Sequence, residues 1–124
     1  MARFYQYEPS QWDLEIYAGS DYPIPVSYTD NAGTAIDITG WTFESQIRDF
    51  DDVVVATLSF SIVGLATAGN TIATLTKTQT GAWIGKNLKW DLFAILPGTV
   101  ANGGGRRPIF TGNVIVHESV TVIP

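Results

Sequence analysis

The sequence predicts an all-β protein, a single-domain antiparallel β-sandwich, on the basis of three observations. Apolar side chains alternate with a period of two along most of the 124 residues, as in strands that bury one face. Clusters of Gly, Pro, Asn and Asp interrupt these runs at the intervals that sandwiches and barrels use for turns. Capped runs with helical spacing are absent over any useful length. The pattern is typical of immunoglobulin-like and jelly-roll-like sandwiches.

An N-terminal aromatic arm, residues 1–11, precedes the predicted sandwich domain of residues 12–124. Pro9 interrupts any regular element in this arm. The aromatic side chains of the arm and of the residue just after it are Phe4, Tyr5, Tyr7 and Trp12. Terminal segments fray unless something holds them. We therefore expect the arm to dock on its own subunit or on a neighbour.

The strands follow in order from the alternation and the turn residues between them. Residues 30–48 hold the clearest hairpin signal, because Asp30-Asn31-Ala32-Gly33 and then Thr39-Gly40 supply turn residues before a run with alternating apolar side chains. The predicted strands are residues 12–17, 22–28, 35–38, 41–48, 53–62, 71–76, 88–96, 108–117 and a short 120–123.

Of the two connections between the later strands, one is predicted to be ordered and the other flexible. Residues 77–87 are too mixed for a strand and too rich in glycine for a long helix, so we expect one helical turn, with Trp83 closing one end of the core. Residues 96–108 include three successive glycines and then Arg106-Arg107. Because such a run of glycine resists order, we expect a flexible surface loop that carries the arginine pair at its tip.

Two strands carry apolar side chains on both faces. In residues 88–96, Leu88, Trp90 and Leu92 form a core face, while the other face begins with Lys89 and ends with apolar residues. Residues 53–55 are three successive valines. Such strands either lie in the middle of a sandwich or meet a partner chain on their outer face.

Composition narrows the classes of function. Charged residues make up 15% of the chain, against about a quarter in most soluble domains, so we expect part of the surface to face other protein. A net charge of -5 with one adjacent basic pair argues against a nucleic-acid partner. The absence of cysteine excludes disulfides, thiolate zinc sites and a cysteine nucleophile. No segment has the pattern of a signal peptide or a membrane span, so we expect no membrane partner.

Catalytic and metal-binding patterns are weak. Asp49-Phe50-Asp51-Asp52 offers carboxylates for a calcium ion, but an acidic turn between two strands explains them better. His117 is the only histidine, and a catalytic triad would pair it with Ser10 or Ser119, neither of which lies in a nucleophile elbow. We therefore predict a protein that is not an enzyme, with no catalytic residue, no cofactor and no metal.

Several segments together resemble the small structural proteins of tailed bacteriophages. Tyr17-Ala18-Gly19-Ser20-Asp21 has the form aromatic-x-Gly-x-Asp, and an Asp-x-x-Gly turn then precedes Ile36-Asp37-Ile38-Thr39-Gly40-Trp41-Thr42-Phe43 and Gln46-Ile47-Arg48. Later matching segments are Ile72-Ala73-Thr74-Leu75-Thr76 with Gln79-Thr80, Trp90-Asp91-Leu92, Thr111-Gly112-Asn113-Val114-Ile115-Val116, and Ser119-Val120-Thr121. The chain is similar to the N-terminal β-sandwich domains of baseplate upper proteins and tail-fibre attachment proteins.

The resemblance implies a virion structural protein, an assembly and docking module of the tail, baseplate or neck. Its expected partners are other virion proteins and further copies of itself, as a trimer or a higher homo-oligomer, in a particle assembled in the host cytoplasm. The sequence ends at Pro124 with no fibre shaft or receptor-binding head, so we do not expect direct host recognition. The residues predicted to dock on partners are Phe4, Tyr5, Tyr7, Trp12, Arg106 and Arg107.

Two alternatives remain open at this point. One is a capsid decoration, or cement, protein, because small β-rich domains also serve there. The other is a carbohydrate-binding module that stacks sugars on Trp12 and on exposed tyrosines.

Overall fold

Two β-sheets pack face to face in the computed structural model, which describes residues 10–30 and 32–118, and the all-β class is confirmed. The strands are β1 (Ser10–Gln11), β2 (Leu14–Tyr17), β3 (Tyr22–Ser27), β4 (Thr42–Asp49), β5 (Val54–Leu58), β6 (Ser61–Ile62), β7 (Asn70–Leu75), β8 (Leu88–Leu96) and β9 (Gly105–His117). The predicted strand 120–123 and most of the predicted arm lie outside the described residues.

The larger sheet has six strands in the order β1-β9-β8-β4-β5, and β2 follows β1 along the same edge of β9. β9, β8, β4 and β5 are antiparallel neighbours, whereas β1 and β2 run parallel to β9. This sheet is therefore mixed rather than purely antiparallel. The smaller sheet is antiparallel, with the order β3-β7-β6.

Alternation along the strands places one side chain in two between the sheets. The fully buried side chains between them include Leu14, Ile16, Ile24, Ile38, Ile47, Leu75, Leu88, Trp90 and Leu92. In β8 the faces divide as the sequence predicts, with Leu88, Trp90 and Leu92 inside and Lys89 and Asp91 outside.

The structure differs from the prediction at two of the predicted strands. Residues 35–38 form only an isolated bridge between Thr29 and Ala35, although Ile36 and Ile38 are buried in the core. The predicted strand 53–62 is two strands, because the chain leaves the larger sheet after Leu58 and enters the smaller sheet at Ser61. Periodicity does not reveal such a crossing, since both halves remain extended.

The helical turn between β7 and β8 is confirmed as α1 (Lys77–Gly81). Thr76 and Gln79 form a capping box at its start, and the carboxylate of Asp21 accepts a hydrogen bond of 2.8 Å from the amide of Lys77. Trp83 is 3% exposed and packs in the core, as predicted.

The predicted loop 96–108 is shorter in the structure, and the placement of the arginine pair at its tip is wrong. β9 begins at Gly105, where it pairs with Leu96, so Arg106 and Arg107 are strand residues. Ladder hydrogen bonding with β8 orders this segment in spite of its glycines. Gly104 itself is required sterically, because a Cβ there would lie 2.5 Å from the carbonyl oxygen of Gly98.

Candidate docking edge and groove

One side of the sandwich exposes a run of apolar side chains, which we call the β5–β6 edge (residues 53–65). β5 ends the larger sheet and β6 ends the smaller one, and the chain connects them directly. The exposed large apolar residues on it are Val53, Val54, Ile62, Val63 and Leu65. Leu65 is 76% exposed. Two adjacent sheet edges therefore present apolar side chains to the outside.

In the part of the chain that the structure describes, this edge lacks the usual protection against pairing with other chains. Edge strands normally carry charges, prolines or covering segments that discourage such pairing. Residues 53–76 contain no Asp, Glu, Lys, Arg, His or Pro. This uncharged run is itself a sequence signal for the edge, and it extends well beyond the three valines of residues 53–55.

A groove of about 770 Å³ lies next to the β5–β6 edge. It exists because β8 pairs with β4 along all of Thr42–Asp49, whereas β5 pairs with β4 only over residues 45–48 before it crosses to the other sheet. Within the described chain, residues 42–44 thus have a strand neighbour on one side only. The groove lining includes Trp41, Phe43, Phe60 and Ile62 as apolar walls and Glu44, Gln46, Arg48, Asp91 and Arg106 as polar ones.

Hydrogen bonds hold the two arginines of the groove to neighbouring side chains. Arg106 donates a hydrogen bond of 2.8 Å from Nε to Oε1 of Glu44, and its guanidinium lies 3.7 Å from the centre of the Phe93 ring. Arg48 donates to the side-chain oxygen of Gln46 at 2.6 Å. The groove therefore presents side chains of both charges next to its aromatic walls.

Asp91 lies on the outer face of β8 in this groove, and its environment predicts a pH effect. Burial raises the pKa of the Asp91 carboxyl above its usual value, against the lowering influence of the Gln46 amide and of nearby arginines. The folded state thus holds the Asp91 proton more tightly than the unfolded chain, so this residue costs stability as pH rises above the unfolded pKa of about 3.9.

We expect Asp91→Asn to raise the free energy of unfolding at pH 7 and to leave it unchanged below about pH 3.5, where Asp91 is protonated in both states. Asn retains an oxygen that accepts the hydrogen bond from the Gln46 amide. Urea unfolding of both proteins between pH 3 and pH 7 measures the difference. A variant that is less stable at pH 7 than at pH 3.5, relative to the parent, would contradict the prediction.

Three of the six residues predicted to dock on partners, Trp12, Arg106 and Arg107, are described, and they do not lie together at one site. Phe4, Tyr5 and Tyr7 lie outside the described residues. The Trp12 ring packs edge-on against Trp90 and Phe110, so it belongs partly to the core. Arg106 reaches the groove, whereas Arg107 is only 7% exposed, because its side chain points to the inner side of β9. Only Arg106 among the described members is therefore placed at the candidate site.

The Asp49 carboxylate takes part in the turn between β4 and β5. Its Oδ1 accepts hydrogen bonds from the amides of Asp51 and Val53 at 2.9 and 3.0 Å. Asp52 has a φ of 64° and forms a 2.8 Å ion pair with Lys89. These contacts are those of an acidic turn. Across residues 10–30 and 32–118, no three His, Cys, Asp or Glu side chains lie together as metal ligands would.

His117 lies at the end of β9, where Nε2 is 3.2 Å from Oε1 of Glu15 and the ring contacts Tyr17. Ser10 pairs with Phe110, seven residues earlier in the same strand, which is about 23 Å at the usual rise of a strand. The described chain therefore does not bring His117 and Ser10 together. Ser119 lies outside the described residues.

The comparisons with known proteins found similarity to solved structures alone. No protein-family model and no curated protein matches the chain. It is similar to a ZIG-8–RIG-5 IG1–IG1 heterodimer at 11% identity and a TM-score of 0.41, over 94% of this chain and 91% of that one. It is also similar to a ZIG-8 IG1 homodimer at 11% identity and a TM-score of 0.37, over 95% and 89% of the two chains. In the described part of the chain, no helix has the length and hydropathy to cross a bilayer.

Proposed function

We propose that this protein is a non-enzymatic structural module of a tailed-bacteriophage particle, which docks on other virion proteins through the β5–β6 edge. The observation that carries this proposal is the uncharged, exposed apolar edge that spans both sheets. The resemblance of the hairpin and closing-strand motifs to phage tail and baseplate proteins supports the particle as its location. A tail, baseplate or neck position follows from the same resemblance.

The physical argument is that an exposed apolar edge of this kind favours pairing with another chain. Burying a Val or Leu side chain completely stabilises a contact by about 1.5–3 kcal/mol, and a partner strand would satisfy the hydrogen-bonding groups that an edge leaves open. A fixed neighbour in a particle meets both needs. The low charge of the chain agrees with this use of its surface.

We expect Val54→Lys combined with Val63→Lys to leave the fold intact and to weaken docking at least about thirty-fold, since two ammonium groups would have to be desolvated. The measurement is the copy number of each variant in purified particles, by quantitative mass spectrometry against the major capsid protein. Thr34→Lys combined with Thr78→Lys adds the same charge at exposed sites outside the edge and is the matched control.

Incorporation of the edge variant at the level of the parent would refute docking through this edge. The copy number of the parent also separates the two structural roles. A few to a few dozen copies support the tail, baseplate or neck, and a number comparable to the capsid protein supports a decoration subunit. Absence from particles would overturn the virion proposal.

The carbohydrate-binding alternative has less support, because Trp12, its main platform, packs against Trp90 and Phe110. Glycan binding that is lost in Trp12→Ala, with the fold and particle incorporation intact, would favour it.

A further inference from the structure

The groove beside β4 has the shape of a missing strand. Residues 42–44 pair with β8 on one side, and within residues 10–30 and 32–118 no strand pairs with them on the other side, where β5 would continue. Addition of an extended peptide to such an edge is a recurrent mode of recognition, in which main-chain hydrogen bonds give affinity and side-chain pockets give specificity. The open groove has a volume of about 770 Å³.

The arm has the composition of a strand that suits this groove. Tyr5 and Tyr7 are two residues apart, so in an extended chain they lie on one face. Glu8 precedes Pro9, which favours an extended backbone at Glu8. Arg3 and Glu8 place opposite charges at the two ends of this segment.

The groove offers complementary groups. Trp41, Phe43 and Phe60 supply aromatic surface for tyrosine rings. Glu44 and Asp91 are partners for Arg3, and Arg48 and Arg106 are partners for Glu8. Both ends of the arm segment can therefore find an opposite charge along the same groove.

The topology argues that the arm comes from another copy. Ser10 pairs with Phe110 at one edge of the larger sheet, and that row continues through Leu92 and Ser45 to the opposite edge. The groove is four strand spacings away, or about 19 Å. Nine residues span at most about 30 Å when extended, so about six of them would be used to cross the sheet. About three would remain, too few to turn and to lie along β4.

We propose that the arm of one copy, residues 3–8, adds as a strand to the β4 groove of a second copy. This inference rests on the proposed function and names one partner of that assembly. Because donor and acceptor lie at opposite edges of the sheet, the contact is head-to-tail, and such contacts close into rings or continue as filaments. This geometry agrees with a trimer or a higher homo-oligomer.

The test uses two variants of the full chain. Tyr5→Asp with Tyr7→Asp disables the donor, and Ser59→Trp fills the acceptor groove, which Ser59 lines at an exposed position. Ser61→Trp is the matched control, since Ser61 is exposed on the same edge but does not line the groove. Each protein is first checked for a native far-UV circular dichroism spectrum, and its mass is then measured by light scattering after size exclusion.

We expect the parent and the Ser61→Trp control to self-associate, and each disabled variant alone to associate at least about ten-fold more weakly. An equimolar mixture of the two disabled variants retains one working arm and one working groove, so it should form a heterodimer that grows no further. A synthetic peptide of residues 1–11 should bind the donor-disabled protein and change its tryptophan fluorescence, whereas the peptide with Tyr5→Ala and Tyr7→Ala should not.

A parent that stays monomeric and a donor-disabled protein that does not bind the peptide would overturn the inference. Self-association that both variants retain would also overturn it. A monomer that the donor substitutions destabilise would do the same, because that result would place the arm on its own subunit. The proposed function fails separately, because the Val54→Lys and Val63→Lys variant tests particle docking and should still accept the peptide.

Discussion

Gly112→Ala is expected to destabilise the folded protein by about 3 kcal/mol, the upper end of the usual cost of overpacking. A Cβ at this position would lie 2.1 Å from the carbonyl oxygen of Trp12 and 2.6 Å from its carbonyl carbon. These are backbone atoms that cannot move aside like the end of a flexible side chain. The substitution must therefore push the joint between β1 and β2 away from β9.

Several hydrogen bonds at this joint would be lost together. The Trp12 amide donates to the Thr111 carbonyl at 3.0 Å, and the Asn113 amide donates to Asp13 Oδ1 at 2.9 Å. Urea unfolding measures the change. Gly81→Ala is the matched control, because its Cβ would meet nothing closer than 3.8 Å and Gly81 does not need a positive φ. Equal stability of the two alanine variants would show that the chain relieves the contact cheaply.

Trp90→Ala is expected to cost about 3–5 kcal/mol, the usual range for removal of a large buried aromatic side chain. Trp90 is 2% exposed, and its ring packs against Trp12 and Phe110. Its Nε1 also donates a hydrogen bond of 2.7 Å to the Trp12 carbonyl oxygen. Denaturant unfolding and near-UV circular dichroism follow the loss.

Trp90→Phe separates the two contributions. Phe keeps much of the apolar contact but removes the donor, so we expect a smaller loss of about 1–3 kcal/mol, the cost of leaving a buried acceptor unpaired. If Trp90→Phe were as harmful as Trp90→Ala, the hydrogen bond rather than the packing would dominate. If it were neutral, water would have to replace the indole donor.

The sequence predicted the parts of the fold that depend on local pattern. β3, β4, β7 and β8 match the predicted strands to within one residue at each end, since their alternation and turn residues agree. The capping signal of α1 is equally local. These elements need no knowledge of their neighbours.

The parts that depend on distant pairing were not predictable in this way. Arg107 is buried because β9 pairs with β8 from Gly105 onward, and no local signal at three successive glycines indicates that pairing. The groove likewise arises from where β5 leaves β4, a crossing that leaves no break in the alternation. Of the candidate site, Arg106 and the three valines were therefore predictable from local pattern, whereas the acceptor groove was not.

The pairing of β2 with β9 also has a consequence for how the protein is made. Leu14 lies opposite Val114, a separation of 100 residues, and these contacts form only after a very long loop has closed. On the ribosome, β2 emerges early and must wait until β9 has been synthesised. During that interval the uncharged β5–β6 segment is already exposed to other nascent chains. The rate of this last pairing therefore sets how long the apolar inner faces of the other strands stay open to misassembly, in addition to the β5–β6 edge, which remains exposed after folding.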